Sequence, residues 1–381
     1  MSQKRTILIM AGGTGGHVFP GLAVAHQLQE QGYNICWLGT PQGIESKLVP
    51  AAGIPLEYIS INGLRGKGWK SLFAAPWKLV KAISQALKIV NQIKPCAVVG
   101  MGGFAAGPGG LAARILNKPL IIHEQNAISG YTNRALALFA KRVLMSFPHT
   151  FPQRCNPILT GNPLRKEFFC MDNPDQRFSN RKGAIRLLIL GGSQGAAALN
   201  NTVPEALALL SGHEIEVIHS TGVSSLEKTQ QTYNDKGFKV YSLPTGDKAD
   251  ITNSEIKGVK VAPFIKDMAE AYAWADLCIC RSGALTVAEI CAVGVGAIFI
   301  PFPFAVDDHQ TKNAQPLVAA GAAQIVQQKD LTAPGLAKIL EELITNKEKL
   351  VEMARAAHQL SSHNATTQVV EQIVEVCNAA K

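Results

Sequence analysis

Residues 12–20 have the sequence GGTGGHVFP, which follows an apolar run, 7–11, and precedes a helical pattern, 21–31. A strand, a glycine turn and a helix in this order expose backbone N–H groups to an anion at the helix N-terminus. The glycines let the backbone adopt positive φ and come close to a ligand. The spacing matches neither a P-loop nor GxGxxG, because Val18 stands at the place of the third glycine. An anion-binding turn and a plain tight turn with an incidental histidine, His17, therefore both stay open.

The same pattern recurs in the second half of the chain. The apolar run 186–190 precedes GGSQGA at 191–196, and a helical pattern begins near Ala197. Strands and helices alternate through both halves, which indicates an α/β fold with parallel sheets and right-handed crossovers. Ligands bind beyond the carboxyl ends of such strands. We therefore predict two domains whose glycine turns face one cleft.

The domain boundary is predicted near GNPLR, residues 161–165. A length of 381 residues suits two domains, since a domain averages about 150 residues. The division is then 1–163 for the N-terminal domain and 164–363 for the C-terminal domain. A helical pattern at 366–377 lies in the last segment, about 364–381, which we expect to pack back on the first domain.

The composition is that of a soluble α/β protein rather than a disordered one, with 47% hydrophobic and 17% charged residues. No apolar run reaches the roughly 18 residues of a membrane-spanning helix, and the first run stops at the glycine turn. We therefore expect neither a transmembrane segment nor a signal peptide. The eight cysteines form no CxxC pair and no cluster with histidine, which favours buried thiols in a reducing cytoplasm.

Positive charge is concentrated in the first half of the chain. Residues 1–165 hold 17 Lys and Arg against four acids, whereas the remainder holds 20 bases and 24 acids. This asymmetry suggests that the first half faces an anionic surface.

The stretch GLRGKGWKSLFAAPWKLVKAI, residues 63–83, combines aromatic and basic residues and contains no acid. Tryptophan and phenylalanine beside lysine and arginine are typical of an element that lies at a membrane surface, here through Trp69, Phe73 and Trp77. The same tryptophans could instead be core residues with solvated lysines. Nucleic acid is the least favoured partner, because no known nucleic-acid motif accompanies the stretch.

Two stretches of the second half carry further chemistry. RSGALTVAE, residues 281–289, follows a buried strand and enters a helix, so Glu289 could accept hydrogen bonds from ribose hydroxyls. A capped helix with a solvated glutamate is the competing interpretation. The sequence Asp307-Asp308-His309-Gln310 suggests a metal site, but the chain has no DxD triplet. We therefore expect no metal.

Eight motifs occur in order along nearly the whole chain: GGTGGHVFPGLAVA, GLRGKG, GMGGFAAGPGGLAA, HEQN, GNPLR, GGSQGA, CRSGALTVAE and DDHQTKNA. Together they make the sequence resemble the MurG family of bacterial glycosyltransferases. The resemblance implies a GT-B fold, in which two Rossmann-like parallel-sheet domains face each other across a deep cleft. It implies an acceptor site in the N-terminal domain and a UDP-GlcNAc site mainly in the C-terminal domain.

The family adds N-acetylglucosamine from UDP-GlcNAc to lipid I, the polyprenyl-linked acceptor, and makes lipid II for peptidoglycan synthesis. The resemblance therefore implies a peripheral enzyme at the cytoplasmic face of the bacterial inner membrane, with roles in cell shape and division. It also implies encounters with other cell-wall synthesis proteins.

Transferred motif by motif, the resemblance implies a set of residues that bind the sugar nucleotide. Ile265 would contact uracil, Glu289 the ribose, Ser193 and the glycine loops the pyrophosphate, and Gln310 and Asn126 the sugar. The sequence departs from the family at Pro303–Asp307 and in the polar stretch Thr245–Lys257, which resembles an added loop. The complete set is Thr14, Gly15, Gly16, Asn126, Arg165, Ser193, Ile265, Ala284, Leu285, Thr286, Val287, Ala288, Glu289 and Gln310.

The predicted reaction is an inverting transfer without a cofactor or metal. Inverting attack needs a base near the acceptor hydroxyl, and His17 is the candidate because imidazole titrates near neutral pH. Glu124 is the alternative base. Arg281 or Arg165, together with helix N-termini, would supply positive field for the leaving pyrophosphate.

Two other functions remain as alternatives, and a third is set aside. A diacylglycerol galactosyltransferase would share most of the loops. A non-catalytic sugar-nucleotide binder would release no UDP in the presence of acceptor. A nicotinamide-dependent oxidoreductase would need GxGxxG and an acid at the end of the second strand, which here ends in Leu38-Gly39-Thr40.

Overall fold

A computed structural model describes residues 5–61, 75–179, 181, 183–192, 196–243 and 258–379. Trp69, Phe73, Ser193 and the polar stretch Thr245–Lys257 lie outside the described residues. The chain divides into two compact units. Unit 1 comprises Met1–Arg165 with Asn364–Lys381, and unit 2 comprises Lys166–His363.

Unit 1 is built on a seven-stranded sheet of order β3-β2-β1-β4-β5-β6-β7. All neighbouring strands are parallel, so the connections between them are crossovers through helices. The strands are β1 Thr6–Ala11, β2 Asn34–Gly39, β3 Leu56–Tyr58, β4 Ala97–Gly102, β5 Leu120–Glu124, β6 Arg142–Met145 and β7 Pro157–Leu159.

Helices cover both faces of the unit 1 sheet, because alternate residues of its central strands are apolar on both sides. Ile7 and Ile9 of β1 pack in one hydrophobic core, and Leu8 and Met10 pack in the other. The helices are α1 Gly15–Glu30, α2 Glu45–Ala51, α3 Ala75–Ile93, α4 Ala106–Ile115, α5 Tyr131–Ala137 and the C-terminal α14 Ala365–Ala379, and a 3₁₀ turn covers Gln153–Cys155.

Helix α14 is the last element of the chain and belongs to unit 1. Its buried residues Val369 and Ile373 join the core on the α1 side of the sheet. Arg5 donates to the carbonyl of Cys377 at 2.9 Å, and the Sγ atoms of Cys377 and Cys96 are 2.6 Å apart. Helix α14 therefore packs on the face of the unit 1 sheet that α1 also covers. The prediction of buried thiols is wrong for Cys170, which is exposed directly after a short 3₁₀ turn, and Cys96 and Cys155 are half-buried.

Unit 2 repeats the arrangement with a second parallel sheet, of order β10-β11-β9-β8-β12-β13-β14. Leu187 and Ile189 of its first strand, with Val261, form the centre of an apolar core. The strands are β8 Ile185–Leu190, β9 Ile215–Ser220, β10 Val240–Ser242, β11 Val259–Ala262, β12 Leu277–Cys280, β13 Gly296–Phe299 and β14 Ala323–Ile325.

Most helices of unit 2 lie between its strands in the chain, whereas one precedes the first strand and two follow the last. Val203 and Leu340, on two of these helices, are fully buried in the same apolar core as Leu187. The helices are α6 Pro174–Ser179, α7 Ala197–Ala208, α8 Leu226–Asp235, α9 Met268–Trp274, α10 Ala284–Val293, α11 His309–Ala319, α12 Ala333–Ile344 and α13 Lys347–Gln359; 3₁₀ turns cover Lys166–Phe169, Val223–Ser225, Val306–Asp308 and Gln328–Asp330.

The predicted class of two Rossmann-like parallel-sheet domains is confirmed. The predicted start of the first helix near Gly21 is wrong, because α1 begins at Gly15 and contains Pro20 in its second turn. The apolar periodicity marks only the buried part of the helix, whereas its first turn consists of glycines and His17. Short strands at the sheet edges, such as β3 and β14, carry too few apolar residues to be recognised.

Candidate functional site

The two glycine-rich loops of unit 1 lie side by side at the carboxyl ends of β1 and β4. These neighbouring strands are where the strand order reverses, the position at which open α/β sheets bind ligands. Gly102 and Gly103 have φ of 103° and 86°, and a Cβ at Gly103 would overlap with the carbonyl of Gly12. Only glycine therefore lets the second loop lie against the first.

The first loop leads directly into the N-terminus of α1. Gly13 has φ of 87°, and Thr14, in extended conformation, is the N-cap residue. The amides of His17 and Val18 both donate to the Thr14 carbonyl, at 3.2 Å. The N–H groups at the start of a helix have no acceptor within it, so this end of α1 is suited to an anion. Thr14, Gly15 and Gly16 are thus gathered where the sequence predicted a ligand.

His17 is half-buried in the first turn of α1, between the two glycine loops. Its Nδ1 atom lies 3.3 Å from the carbonyl oxygen of Gly12 and 3.4 Å from Oγ1 of Thr14. A Cβ at Gly102 would lie 2.8 Å from Nε2, so the second loop makes room for the ring. A carbonyl oxygen only accepts, and Nδ1 therefore carries the proton that it donates to Gly12. In the neutral ring the lone pair is then on Nε2.

Glu45 is a fully buried carboxylate at the start of α2 that the sequence analysis missed. Its Oε2 accepts from the amide of Gly13 at 2.9 Å, and its Oε1 accepts from the amide and the hydroxyl of Thr40, at 3.0 and 2.8 Å. A charge taken out of water is stabilised by such donors. A glutamate six residues after a glycine-ended strand is too common a feature to have indicated this contact.

Glu124, the alternative base, has its carboxylate fully engaged in hydrogen bonds. Oε1 accepts from the amide and the side chain of Asn126, at 3.1 and 3.2 Å. Oε2 accepts from the amide of Gly130 at 3.1 Å and from the side chain of Asn133 at 2.8 Å. With four donors in place, Glu124 is better suited to fix the loop that carries Asn126 than to take a proton.

His123, beside Glu124, ties this loop to its neighbours inside unit 1. Its Nε2 lies 3.0 Å from the carbonyl of Gly161, and Nδ1 lies 3.2 Å from the side-chain nitrogen of Gln125. Gln125 also donates to the carbonyl of Met101 at the end of β4, at 2.9 Å. Burial lowers the pKa of His123 to about 4, so the ring is neutral at physiological pH.

Arg165 lies at the end of unit 1, close to α1. Its guanidinium carbon is 5.8 Å from the centre of the Phe19 ring, within the range of a cation–π interaction. The Phe19 ring in turn lies over Gly15, since a Cβ there would be 3.1 Å from it. Unit 1 thus brings Arg165 to the same helix end as the first glycine loop.

Unit 2 places its two predicted motifs at the equivalent reversal of strand order, at the carboxyl ends of β8 and β12. Gly192, with φ of 80°, is exposed at the end of β8, and α7 begins at Ala197. Gly283 is the N-cap of α10, which carries Ala284, Leu285, Thr286, Val287, Ala288 and Glu289. The hydroxyl of Ser282 is buried without a hydrogen-bond partner among the described residues.

Glu289 lies in the second turn of α10 and is only 8% exposed. The hydroxyl of Tyr272, on α9, donates to its Oε2 at 3.1 Å. Burial and the neighbouring carboxylate hold the pKa of Tyr272 well above its usual value, so the phenol stays a donor. The alternative of a solvated glutamate is wrong, because Glu289 is buried and oriented by a specific partner.

Two other residues predicted to contact the sugar nucleotide lie in a loop and at the start of a helix of unit 2. Ile265 is 2% exposed just after β11. Gln310, in the first turn of α11, accepts from the amide of Phe302 at 2.8 Å. This hydrogen bond fixes the side chain of Gln310 and ties it to the loop that follows β13.

Arg281, one of the two arginines predicted to supply positive field for the leaving group, bonds to neutral acceptors. Its guanidinium donates to the carbonyls of Ile300 and Pro301, at 2.8 and 3.1 Å, and to the side chain of Gln328 at 2.6 Å. Arg281 therefore holds the backbone after β13, and its positive charge, like that of Arg165, stays a predicted source of field for the leaving group.

Asp307 and Asp308 both have positive φ, 53° and 52°, a conformation that costs free energy for residues other than glycine. Oδ1 of Asp308 accepts from the hydroxyl of Thr311 at 2.7 Å. Within the described ranges, no three His, Cys, Asp or Glu side chains are grouped so that they could hold a metal ion. Likewise, no helix that the structure describes is long and apolar enough to span a bilayer.

A buried polar network supports the loop after β9. The Nδ1 and Nε2 atoms of His219 lie 3.0 Å from the hydroxyl of Tyr233 and from Oδ1 of Asn200, respectively. Asn200 donates to the carbonyl of Thr221 at 3.0 Å. Burial lowers the pKa of His219 to about 3. The network fixes α7, and with it the helix end that follows the glycine turn of unit 2.

Two parallel sheets, each with glycine turns at its reversal point, are the two Rossmann-like domains of a GT-B fold, and the family matches make the chain a glycosyltransferase of that fold. Residues 7–145 match the glycosyltransferase family 28 N-terminal domain, and residues 186–372 match its C-terminal domain. The chain is similar, at 47% identity over 99% of both chains, to the UDP-N-acetylglucosamine–N-acetylmuramyl-(pentapeptide) pyrophosphoryl-undecaprenol N-acetylglucosamine transferase of Marinobacter nauticus. It is 50% identical to the enzyme of the same name from Mannheimia succiniciproducens, over 99% of this chain and 100% of that one.

A solved structure leads to the same family. The crystal structure of Acinetobacter baumannii MurG matches with a TM-score of 0.80 and 42% identity, over 97% of this chain and 99% of that one. The chain therefore belongs to the MurG family of glycosyltransferases.

Proposed function

We propose that the protein transfers GlcNAc from UDP-GlcNAc to the C4 hydroxyl of the MurNAc residue of lipid I, which releases UDP and makes lipid II. The observation that carries this proposal is the identity of 47–50%, over 99% of the chain, to relatives named for this transfer. The diacylglycerol galactosyltransferase alternative has no comparable support.

Unit 2 is proposed to bind the donor. Glu289 accepts from the ribose hydroxyls, since Tyr272 holds its carboxylate in place and burial keeps water away. Backbone groups at Ile265 contact the uracil, and residues 284–288 offer the first turn of α10 to the nucleotide. Ser193 contacts the pyrophosphate. Gln310 and Asn126 contact the sugar.

Unit 1 is proposed to bind the acceptor and to supply the base. The C4 hydroxyl attacks the anomeric carbon from the face opposite UDP, so the configuration inverts. His17 takes the hydroxyl proton on Nε2, the nitrogen left with a lone pair when Nδ1 donates to Gly12. Thr14, Gly15, Gly16 and Arg165 contribute N–H groups and positive charge to the phosphate oxygens.

The leaving UDP gains negative charge as the glycosidic bond breaks. Helix N-termini carry a partial positive charge that is already oriented, so they can stabilise this charge without a divalent ion. We therefore propose transfer that is independent of metal and needs no cofactor.

An exposed apolar and basic surface of unit 1 supports membrane docking. Helix α3 buries Ala82 and Ala86 on one face. On its exposed face lie Trp77, which is 78% exposed, and Lys81, one helical turn later. Helix α4 packs on α3 and adds Ile115, 58% exposed, beside the exposed Arg114. The high exposure of Trp77 argues against the core interpretation for this residue.

Apolar side chains that enter the headgroup boundary, together with bases, favour an anionic lipid surface. We propose that this surface, together with Trp69 and Phe73 of the basic stretch that precedes it in the sequence, holds the protein at the cytoplasmic face of the inner membrane, where its polyprenyl-linked acceptor lies. We propose other cell-wall synthesis proteins as partners. Nucleic acid is not proposed as a partner.

The proposed function is tested by UDP release with a panel of donors and acceptors. UDP-GlcNAc with lipid I should give UDP, whereas UDP-galactose with diacylglycerol should not. Release that needs UDP-galactose and diacylglycerol would replace the proposal with the glycolipid alternative. Donor binding without release, with every acceptor, would make the protein a sugar-nucleotide binder.

A further inference from the structure

We infer that Glu45 is a positioning residue for His17, which it reaches through a single peptide group. The amide that donates to Oε2 of Glu45 belongs to Gly13, and the carbonyl that lies 3.3 Å from Nδ1 of His17 belongs to Gly12. These two atoms are the N–H and the C=O of the same peptide plane. In a trans peptide they point in opposite directions, so the plane links the carboxylate to the imidazole.

The carboxylate end of this link is fixed from several sides. Glu45 is 0% exposed, and Thr40 supplies two further donors to Oε1. Among the described residues no Lys, Arg or His side chain pairs with Glu45, so N–H and O–H donors alone satisfy the carboxylate. The charge is consequently held in one place and directed at the peptide.

The surrounding glycines are shaped to this carboxylate. A Cβ at Gly12 or at Gly43 would overlap with its oxygens, and a Cβ at Gly39 would lie 2.7 Å from its Cγ. Two backbone segments, the first glycine loop and the connection between β2 and α2, therefore close around Glu45 because these three positions lack side chains. This explains why the chain carries glycine at Gly12, whose φ does not require it.

The link has a chemical consequence for the imidazole. When a carboxylate accepts a hydrogen bond from the N–H of a peptide, it polarises that peptide group. The carbonyl oxygen of the same peptide becomes more negative and a better acceptor, because hydrogen bonds in a chain polarise one another. The Gly12 carbonyl then holds the Nδ1–H tautomer of His17 more firmly. That tautomer is the one with the lone pair on Nε2, where a base needs it.

The role in catalysis rests on the function proposed above, but the tautomer does not. The first measurement is therefore made without substrate: the imidazole nitrogen chemical shifts of His17 in the full chain, above the pH at which the ring protonates. The expected result is the Nδ1–H form in the wild type. A predominantly Nε2–H ring in the wild type would overturn the inference, whatever any variant does.

The second measurement compares Glu45→Gln with Glu57→Gln, an identical change at an exposed glutamate of β3. The isosteric amide removes the charge and turns one acceptor atom into a donor. Glu45→Gln should mix the tautomers and lower kcat at least about tenfold, with the donor KM within about twofold of wild type. Glu57→Gln should change neither. Wild-type tautomer and turnover in Glu45→Gln would overturn the inference.

A double-mutant cycle separates positioning from a general loss of folded protein. In a His17→Ala background, Glu45→Gln should lower the residual kcat less than about twofold, because the group it positions is already gone. A tenfold loss in both backgrounds would mean that Glu45 acts independently of His17. Absence of any transfer by the wild type would count against the proposed function alone, since the tautomer result stands without turnover.

Discussion

The phenol of Tyr272 donates a hydrogen bond of 3.1 Å to Oε2 of Glu289, and both residues are buried, with Tyr272 fully enclosed and Glu289 8% exposed. The contact joins the last turns of α9 to the second turn of α10. It holds the carboxylate that is proposed to bind the ribose of the donor. Removal of the carboxylate should therefore weaken donor binding more than removal of the phenol hydroxyl.

Glu289→Ala should raise the donor KM about 10- to 100-fold, because a hydrogen bond to a charged group in a buried site is worth about 1.5–3 kcal/mol. Tyr272→Phe removes only the orienting bond and should raise the donor KM less, about threefold to tenfold. Steady-state kinetics with varied UDP-GlcNAc measures both. An unchanged donor KM in folded Glu289→Ala would show that the ribose assignment is wrong.

His17→Ala should lower kcat about 10²-fold, since a positioned base contributes about that much, while donor binding measured by calorimetry is kept. Glu124→Gln should instead disturb the loop that it anchors, and should raise the KM for substrates more than it lowers kcat. Near-normal turnover of His17→Ala with a collapse in kcat of Glu124→Gln would transfer the role of base to Glu124.

Chelation by EDTA should leave most of the activity, because helix N-termini and Arg165 are proposed to stabilise the leaving UDP. Turnover is measured before and after EDTA, with readdition of Mg²⁺ or Mn²⁺ as the control. Loss on chelation and recovery with metal would sink the metal-independent scheme and would direct attention to Asp307 and Asp308.

Stability should fall as the pH drops below about 6.5. Burial lowers the pKa of His123 to about 4 and that of His219 to about 3 in the folded protein. Between those values and about 6.5 the unfolded chain binds protons that the folded chain does not, so each histidine costs about 1.4 kcal/mol per pH unit in this window. The stability is fully present above about pH 6.5 and is lost as the pH falls to about 4 for His123 and to about 3 for His219.

Chemical denaturation at several pH values measures this slope. His219→Gln keeps polar atoms beside Tyr233 and Asn200 but cannot titrate, so it should lower the slope by about one proton. An unaltered slope would mean that His219 is already protonated in the folded state.

Membrane docking should depend on the exposed face of α3. The protein should co-sediment with vesicles of anionic lipid, less with neutral lipid, and less again at high salt, since each base near the surface contributes about 1 kcal/mol that salt screens. Trp77→Ser combined with Lys81→Ser should weaken binding at least tenfold and leave UDP-GlcNAc binding unchanged. Val223→Ser, at a residue of unit 2 that is 83% exposed, is the matched control. Equal loss with the control variant would contradict docking through α3.

The sequence was sufficient for the fold class because the apolar runs at β1, β4, β8 and β12 are each followed by a glycine turn. The order of strands then places these turns together at the reversal points, which is a consequence of parallel topology. Residue spacing alone also located Glu289 on the helix after β12, although only the structure shows that Tyr272 orients it.

The contacts that the sequence did not indicate are those made by buried charges. Glu45 lies in a segment without a motif, and its partners Gly13 and Thr40 come from two different loops. Arg281 is part of a motif, yet its guanidinium is used on backbone carbonyls after β13. The contacts of Glu45 and Arg281 depend on how loops pack in three dimensions. They therefore leave no periodic pattern in the sequence.

The most direct test of the central claim is analysis of the product formed from UDP-GlcNAc and lipid I by the purified protein. The anomeric configuration and the linkage position of the new disaccharide are read by NMR. The proposed transfer should give a β-linked GlcNAc on the C4 hydroxyl of MurNAc, with one UDP released for each sugar transferred. An α-linked product, a different hydroxyl, or UDP release by hydrolysis without any disaccharide would contradict it.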